Sequence, residues 1–246
     1  MAFFRGYCRI TFGCEEIYMA HSCKAIITAE DGHSFCAYLA TPEKPQKGGI
    51  ILIHEIFGVT PQMKTLADKL AFVGYKAIVP SLFDRIQPNA CLDYSETNRG
   101  KGLAGACKRE YILLDLEAVT HTLNTSITSV IGYCWGGGIS YFAACNLPIN
   151  SGVSFYGTQL PSYLHQQSKC PFQFHFGGQD QTISSEIIEQ VRAANPDSEV
   201  HIYPNAGHAF ANQARSSFHA ASNYIAERRL LEFLGNHIYR ANQLKT

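Results

Sequence analysis

Thr128-Ser-Val-Ile-Gly132-Tyr-Cys134-Trp-Gly136-Gly-Gly138-Ile-Ser-Tyr-Phe-Ala-Ala144 is the stretch on which the fold turns. Thr128 to Ile131 is β-prone, and Ile139 to Ala144 is an apolar run that suits a helix. Between them stands Gly-x-Cys-x-Gly. This pattern marks a sharp strand-to-helix turn that lifts a nucleophile above a parallel sheet, with Cys where Ser is more usual. The nucleophile in such a turn sits in a strained backbone conformation, and neighbours with side chains would collide with the adjoining strand and helix. The plainer alternative is a glycine-rich turn around an inert Cys, because free Cys is commonly buried. The motif alone leaves both readings open.

Working upstream, Gly49-Ile-Ile-Leu-Ile53 is a continuous apolar run that suits a central parallel strand buried on both faces. Thr60 then offers an N-cap, Pro61 the first helical position, and Gly74 a stop. Met63, Leu66, Ala67 and Leu70 repeat at helical spacing between them. Residues 76–79 read as the next strand. Residues 24–29 and 35–40 are two β-prone runs around the Asp31-Gly32 hairpin signal. Residues 86–108 are polar and irregular, and are expected to form a flap over a pocket with short helical pieces. Ile112, Leu116, Val119 and Leu123 then mark an amphipathic helix.

Downstream, strands are expected at 152–157, 171–176 and 200–203, with a helix from Ser184 to Ala194. A closing helix is expected over about 213–236, with Phe218, Ala221, Ile225, Leu231 and Leu234 on or near one face. Strands alternate with helices throughout, so the fold class is α/β: a mostly parallel, doubly wound sheet with helices on both faces. Residues 24–246 are expected to form one domain, with 1–23 an extension or edge segment. Met19-Ala20 reads as an alternative translation start, which would make residues 1–18 an extension.

Glu55, Arg85, Cys134, Asp180 and His208 all fall just after expected strands. In doubly wound sheets ligands sit beyond those strand ends. Cys134 is the candidate nucleophile, Asp180 the acid and His208 the base. A thiol is only a few per cent thiolate near pH 7, so it needs a base or a positive neighbour, and a His can be both. Asp180 would fix the tautomer of His208 and stabilise its cation. The oxyanion hole would use the backbone N–H groups of Trp135 and Ile56. His54 has two readings, a residue lining the hole's loop or a structural one, and the structural one is favoured.

Composition excludes several classes. The chain has 246 residues, with 20 Lys+Arg against 20 Asp+Glu and a formal net charge of +0. No basic field is present to draw nucleic acid or anionic membrane. No run of about 18 apolar residues occurs, and charges at Arg5, Arg9, Glu15 and Glu16 argue against a signal peptide. Nine scattered Cys with no C-x-x-C spacing fit reduced thiols in a cytoplasm rather than a metal or redox motif.

His54-Glu-Ile-Phe-Gly58, Gly132-Tyr-Cys-Trp-Gly-Gly137, Tyr156-Gly157, Gly177-Gly-Gln-Asp180 and Ala206-Gly-His-Ala-Phe210 together resemble the dienelactone hydrolase family of α/β-hydrolases, over about residues 24–236. The resemblance implies a Cys134–His208–Asp180 triad. It also implies that Glu55 pairs with the resting thiol and takes its proton when substrate binds. It places Arg85 and Tyr156 at the substrate, with Ala209 and Asn212 where relatives often carry Ser and a second arginine. With Asn212 there, a two-armed guanidinium clamp is halved. The implied activity is hydrolysis of activated esters or lactones through an acyl-thioester, without metal or organic cofactor, by a monomer or weak homodimer. The rival expectation is a hydrolase-fold binding or sensor protein that has lost turnover.

Overall fold

The computed structural model describes residues 21–43 and 46–243, with side chains through residue 237. The alternative start at Met19 lies outside the described residues. The sheet is built from β1 (His21–Thr28), β2 (Ser34–Thr41), β3 (Gly48–Ile53), β4 (Tyr75–Pro80), β5 (Thr128–Tyr133), β6 (Ser151–Phe155), β7 (Phe172–Gly177) and β8 (Glu199–Tyr203). Its order is β1-β2-β4-β3-β5-β6-β7-β8. The first hairpin is antiparallel, β2 also pairs antiparallel with β4, and every other pairing is parallel. Pairing of His21 with Thr41 carries β1 three residues into the expected extension.

The helices are α1 (Pro61–Phe72), α2 (Thr97–Ala106), α3 (Arg109–Leu123), α4 (Trp135–Asn146), α5 (Ser185–Ala194) and α6 (Ala220–Gln243). Thr60 caps α1 by accepting the Met63 N–H at 3.4 Å, and Gly74 ends it at φ +103. From β3 the chain moves through α1 to β4 on one side. From β5 it moves through α4 to β6 on the other. Right-handed crossovers in opposite directions put α1 and α4 on opposite faces of the sheet. The strand order therefore reverses between β3 and β5, which is where an open parallel sheet forms its ligand crevice.

All six residues of β3, β5 and β7 are buried, as both-face burial demands of central parallel strands. Each fully covered Ile or Leu there contributes about 1.5–3 kcal/mol relative to exposure. The closing helix differs from expectation. It starts at Ala220, and its inward face carries Ala226, Leu230, Phe233 and Leu234, while Ile225 and Leu231 are exposed. Residues 211–219 are turns instead, and this brings Arg215 to the crevice rather than onto the helix.

Candidate active site

The nucleophile turn takes the shape its glycines allow. Cys134 sits at φ 55, ψ −118, a region costly for a residue with a side chain. A Cβ on Gly132 would lie 1.8 Å from the Gly136 carbonyl oxygen, and one on Gly136 would lie 2.5 Å from the Ile53 and His54 carbonyl oxygens. Only glycine at both positions lets β5, α4 and the end of β3 meet this closely. Cys134 N–H donates to Phe155 O at 3.0 Å, tying the turn to β6.

Two further loops bring the partners in. Gly178 N–H donates to Tyr203 O at 2.7 Å and Gln179 N–H to Ala206 O at 2.8 Å, lacing the loop after β7 to the loop after β8. Asp180 Oδ1 accepts the N–H of Thr182 at 2.7 Å and of Ile183 at 3.2 Å. Its Oδ2 lies 2.8 Å from His208 Nδ1, and His208 Nε2 lies 3.3 Å from Cys134 Sγ. Burial opposes charge on His208, but its bonds to Asp180 and Cys134 outweigh burial and raise its pKa to about 10. The His208 ring is thus held between the Asp180 carboxyl and the Cys134 sulfur.

Trp135 N–H is the first amide of α4 and has no intrahelical partner to make. Among the described residues, neither it nor Ile56 N–H makes a backbone hydrogen bond. Both residues line a cleft of about 440 Å³ together with Glu55, Cys134, His208 and Arg215. Thr97, Lys101 and Ala104, one face of α2, form its roof. Within the flap expected over residues 86–108, residues 97–106 form this helix.

Five sequence expectations change here. Arg85 does not line the cleft. Its guanidinium bonds Asp31 at 2.7 Å and Asp115 at 2.7 Å, and it lies 4.6 Å from the Tyr111 ring centre. The bond to Arg85 holds the Asp31 carboxyl at about 2. Two carboxylates from distant parts of the chain hold the arginine that the resemblance places at the substrate. Asn212 and Tyr156 are likewise not cleft-lining. Asn212 Nδ2 donates to Glu55 Oε2 at 2.7 Å and Tyr156 OH donates to Glu55 Oε1 at 3.2 Å. Ala209 is a buried residue at φ 61 that shapes the loop after His208. The expected Glu55–thiol pair does not form either: both Glu55 oxygens are occupied, and the thiol faces His208. Burial pushes the Glu55 carboxyl up, and Asn212, Arg215, His208 and Tyr156 partly offset this.

Sequence reading missed Arg215 and Lys101, two cationic side chains that line the cleft. Arg215 lies 5.3 Å from the Phe57 ring centre and 5.5 Å from that of Tyr94. Placing position 215 on a closing helix hid it. Among the described residues no cluster of His, Cys, Asp or Glu could hold a metal ion, and no helix is long and apolar enough to cross a membrane. The seven described cysteines are free thiols.

A family model for dienelactone hydrolases matches residues 35–238. The chain belongs to the dienelactone hydrolase family. Its sheet order and helix placement are those of the α/β-hydrolase fold, and the protein is an ester or lactone hydrolase. It is 33% identical over 221 residues to the carboxymethylenebutenolidase of Pseudomonas putida, covering 85% of this chain and 94% of that one. It is 28% identical over 225 residues to carboxymethylenebutenolidase 1 of Cupriavidus pinatubonensis, covering 85% and 94%. A Klebsiella pneumoniae crystal structure, assigned as a dienelactone hydrolase, superposes at a TM-score of 0.76 with 27% identity, covering 87% of this chain and 99% of that one.

Proposed function

We propose that the protein hydrolyses activated esters or enol lactones through an acyl-thioester on Cys134. The observation that carries this is the unbroken chain from Asp180 through His208 to the sulfur, with two unpaired N–H groups beside it. The Cys134 thiolate attacks the carbonyl carbon, forming the C–S bond while the oxygen becomes an oxyanion. Trp135 N–H and Ile56 N–H donate to that oxyanion. Collapse expels the alkoxide or enolate, which takes the proton from His208. Water then adds to the thioester, with neutral His208 accepting its proton. The second collapse releases the acid and restores the thiolate–imidazolium pair.

A tetrahedral adduct expels its better leaving group. A thiolate leaves more readily than an amine or a plain alkoxide, so amides would revert while enol lactones and aryl esters proceed. Relatives named carboxymethylenebutenolidases act on a lactone bearing a carboxyl group. In this chain Arg215 and Lys101 stand where such a group could be held, in place of the Arg85 clamp. Glu55 is kept buried at the cleft by Tyr156 and Asn212, which both donate to its carboxyl oxygens. The test is turnover of a p-nitrophenyl ester by wild type and Cys134→Ala. Turnover is expected to vanish in the variant while circular dichroism and melting temperature stay near wild type; retained turnover would overturn the assignment.

A further inference from the structure

His54 occupies a place that the chemistry above does not use. It lies at the end of β3, fully buried, with its ring centre 4.7 Å from that of Phe83 and 5.5 Å from that of Trp135. Both ring nitrogens are engaged. Nε2 lies 3.3 Å from the Leu82 backbone nitrogen, which can only donate, so Nε2 is the accepting nitrogen. The proton of the neutral ring is therefore on Nδ1. Burial pushes His54 down to about 4, so the ring is neutral at ordinary pH. Nδ1 lies 2.6 Å from the Glu55 carbonyl oxygen and donates to it.

That carbonyl belongs to the peptide whose nitrogen is Ile56 N. No cis peptide is present among the described residues. In a planar trans peptide the C=O and N–H vectors point in opposite directions. Fixing the Glu55 carbonyl toward the buried ring therefore turns Ile56 N–H away from it. Gly58 N–H also donates to the same carbonyl, at 3.3 Å, but it comes from the tight turn itself and follows the peptide if that turn rotates. The His54 ring is the anchor held by the core. Rotation of this one peptide would swing an oxygen lone pair toward the oxyanion instead of a donor, exchanging stabilisation for repulsion.

We infer that His54 is a positioning residue for the oxyanion hole, its Nδ1–H holding the Glu55–Ile56 peptide so that Ile56 N–H faces the Cys134 adduct. The inference rests on the acyl-thioester reading above, and its effect falls on one step. Oxyanion stabilisation matters to acyl transfer. It does not matter to alkylation of the thiolate by iodoacetamide, where no carbonyl becomes tetrahedral.

The experiment pairs two readouts on the full chain: steady-state hydrolysis of p-nitrophenyl acetate, and the second-order rate of Cys134 alkylation by iodoacetamide followed by peptide mass spectrometry. His54→Phe keeps the ring packing and removes both hydrogen bonds. It is expected to lower kcat by about 10- to 100-fold, in the range for weakening one oxyanion donor, with KM and the alkylation rate within about 2-fold of wild type as a guide to unchanged binding and thiolate activation. Two further variants stand in should His54→Phe fold poorly. His54→Asn places an amide N–H where Nδ1 sits and is expected to recover most of kcat. His54→Gln reaches the Leu82 N–H but leaves the Glu55 carbonyl without that donor, and is expected to stay low. Parallel loss of hydrolysis and alkylation, or equal activity in the Asn and Gln variants, would overturn the inference by showing a merely structural role. A wild type that alkylates at Cys134 but hydrolyses no ester would instead sink the acyl-thioester reading.

Discussion

Two side chains carry the chemistry of the cleft beyond Cys134 itself. His208 is held at about 10, above its ordinary value of 6.5, because its bonds to Asp180 and Cys134 outweigh burial. A folded-state value above the unfolded one means protonation favours folding. The contribution is complete below about pH 6.5 and is lost as pH rises toward about 10. Asp180→Asn removes the charged partner, so the melting-temperature gap between it and wild type should be widest near pH 6 and narrow by about pH 10. A gap that widens with pH would contradict the imidazolium assignment. Arg215 is the second. Its guanidinium lies over the paired rings of Phe57 and Tyr94, and it lines the cleft. Arg215→Gln is expected to raise KM for a carboxylate-bearing enol lactone by about 10-fold, the scale of one partly exposed charge-assisted contact. KM for p-nitrophenyl acetate should stay unchanged. Equal effects on both substrates would remove Arg215 from substrate recognition.

At the scale of the element, α2 decides how tightly the roof closes on the oxyanion loop. A Cβ on Gly100 would lie 2.4 Å from the Ile56 carbonyl oxygen, whereas Gly102 has open space around it. Gly102→Ala should therefore stabilise the protein by roughly 0.5–1 kcal/mol through helix propensity. Gly100→Ala should destabilise by about 1–3 kcal/mol through overpacking and lower kcat by pushing the Ile56 peptide. Urea melts and ester turnover of both variants check this; a stabilised, fully active Gly100→Ala would refute the close approach. The elements also show what sequence could and could not tell. β3 was legible because both-face burial writes an unbroken apolar run, β5 because Thr128 to Ile131 is β-prone, and the Cys134 turn because its glycines are sterically compulsory. The start of α6 was not. His219 closes its first turn, with Ser222 N–H donating to His219 Nδ1 at 3.3 Å, and histidine is not a residue that announces a helix cap. Extending the helix back to residue 213 rotated its expected face and concealed Arg215. The neighbours of Arg85 were illegible for another reason: Asp31 and Asp115 lie 54 and 30 residues away, and no local pattern records that pairing.

For the whole molecule, Arg85 is a rivet between the first hairpin and α3. Asp115 is nearly fully buried and would be left as an unpaired carboxylate without it. Burial raises the Asp115 carboxyl, and Arg85 counters that. Arg85→Gln should cost about 2–3 kcal/mol of stability, somewhat below the figure for a wholly buried pair because the arginine is partly exposed. It should leave KM for anionic and neutral esters alike, as read from denaturant melts and steady-state kinetics on the same preparation. A selective KM rise for the anionic ester would restore the clamp role that the resemblance implied. Fold and chemistry meet at the reversal of strand order. The ends of β3 and β5 supply Ile56, Cys134 and Trp135, and the loops after β7 and β8 supply Asp180 and His208. One sheet edge thus gathers groups spread from residue 55 to residue 215.

The covalent intermediate on Cys134 is the step on which the proposed mechanism depends. Acid-quenching the enzyme during turnover of p-nitrophenyl acetate, followed by peptide mass spectrometry, tests it most directly. The account predicts a single acetyl group on the Cys134 peptide, absent from Cys134→Ala. Steady turnover with no acetyl on that peptide, or an acetyl group found instead on one of the other thiols, would contradict it.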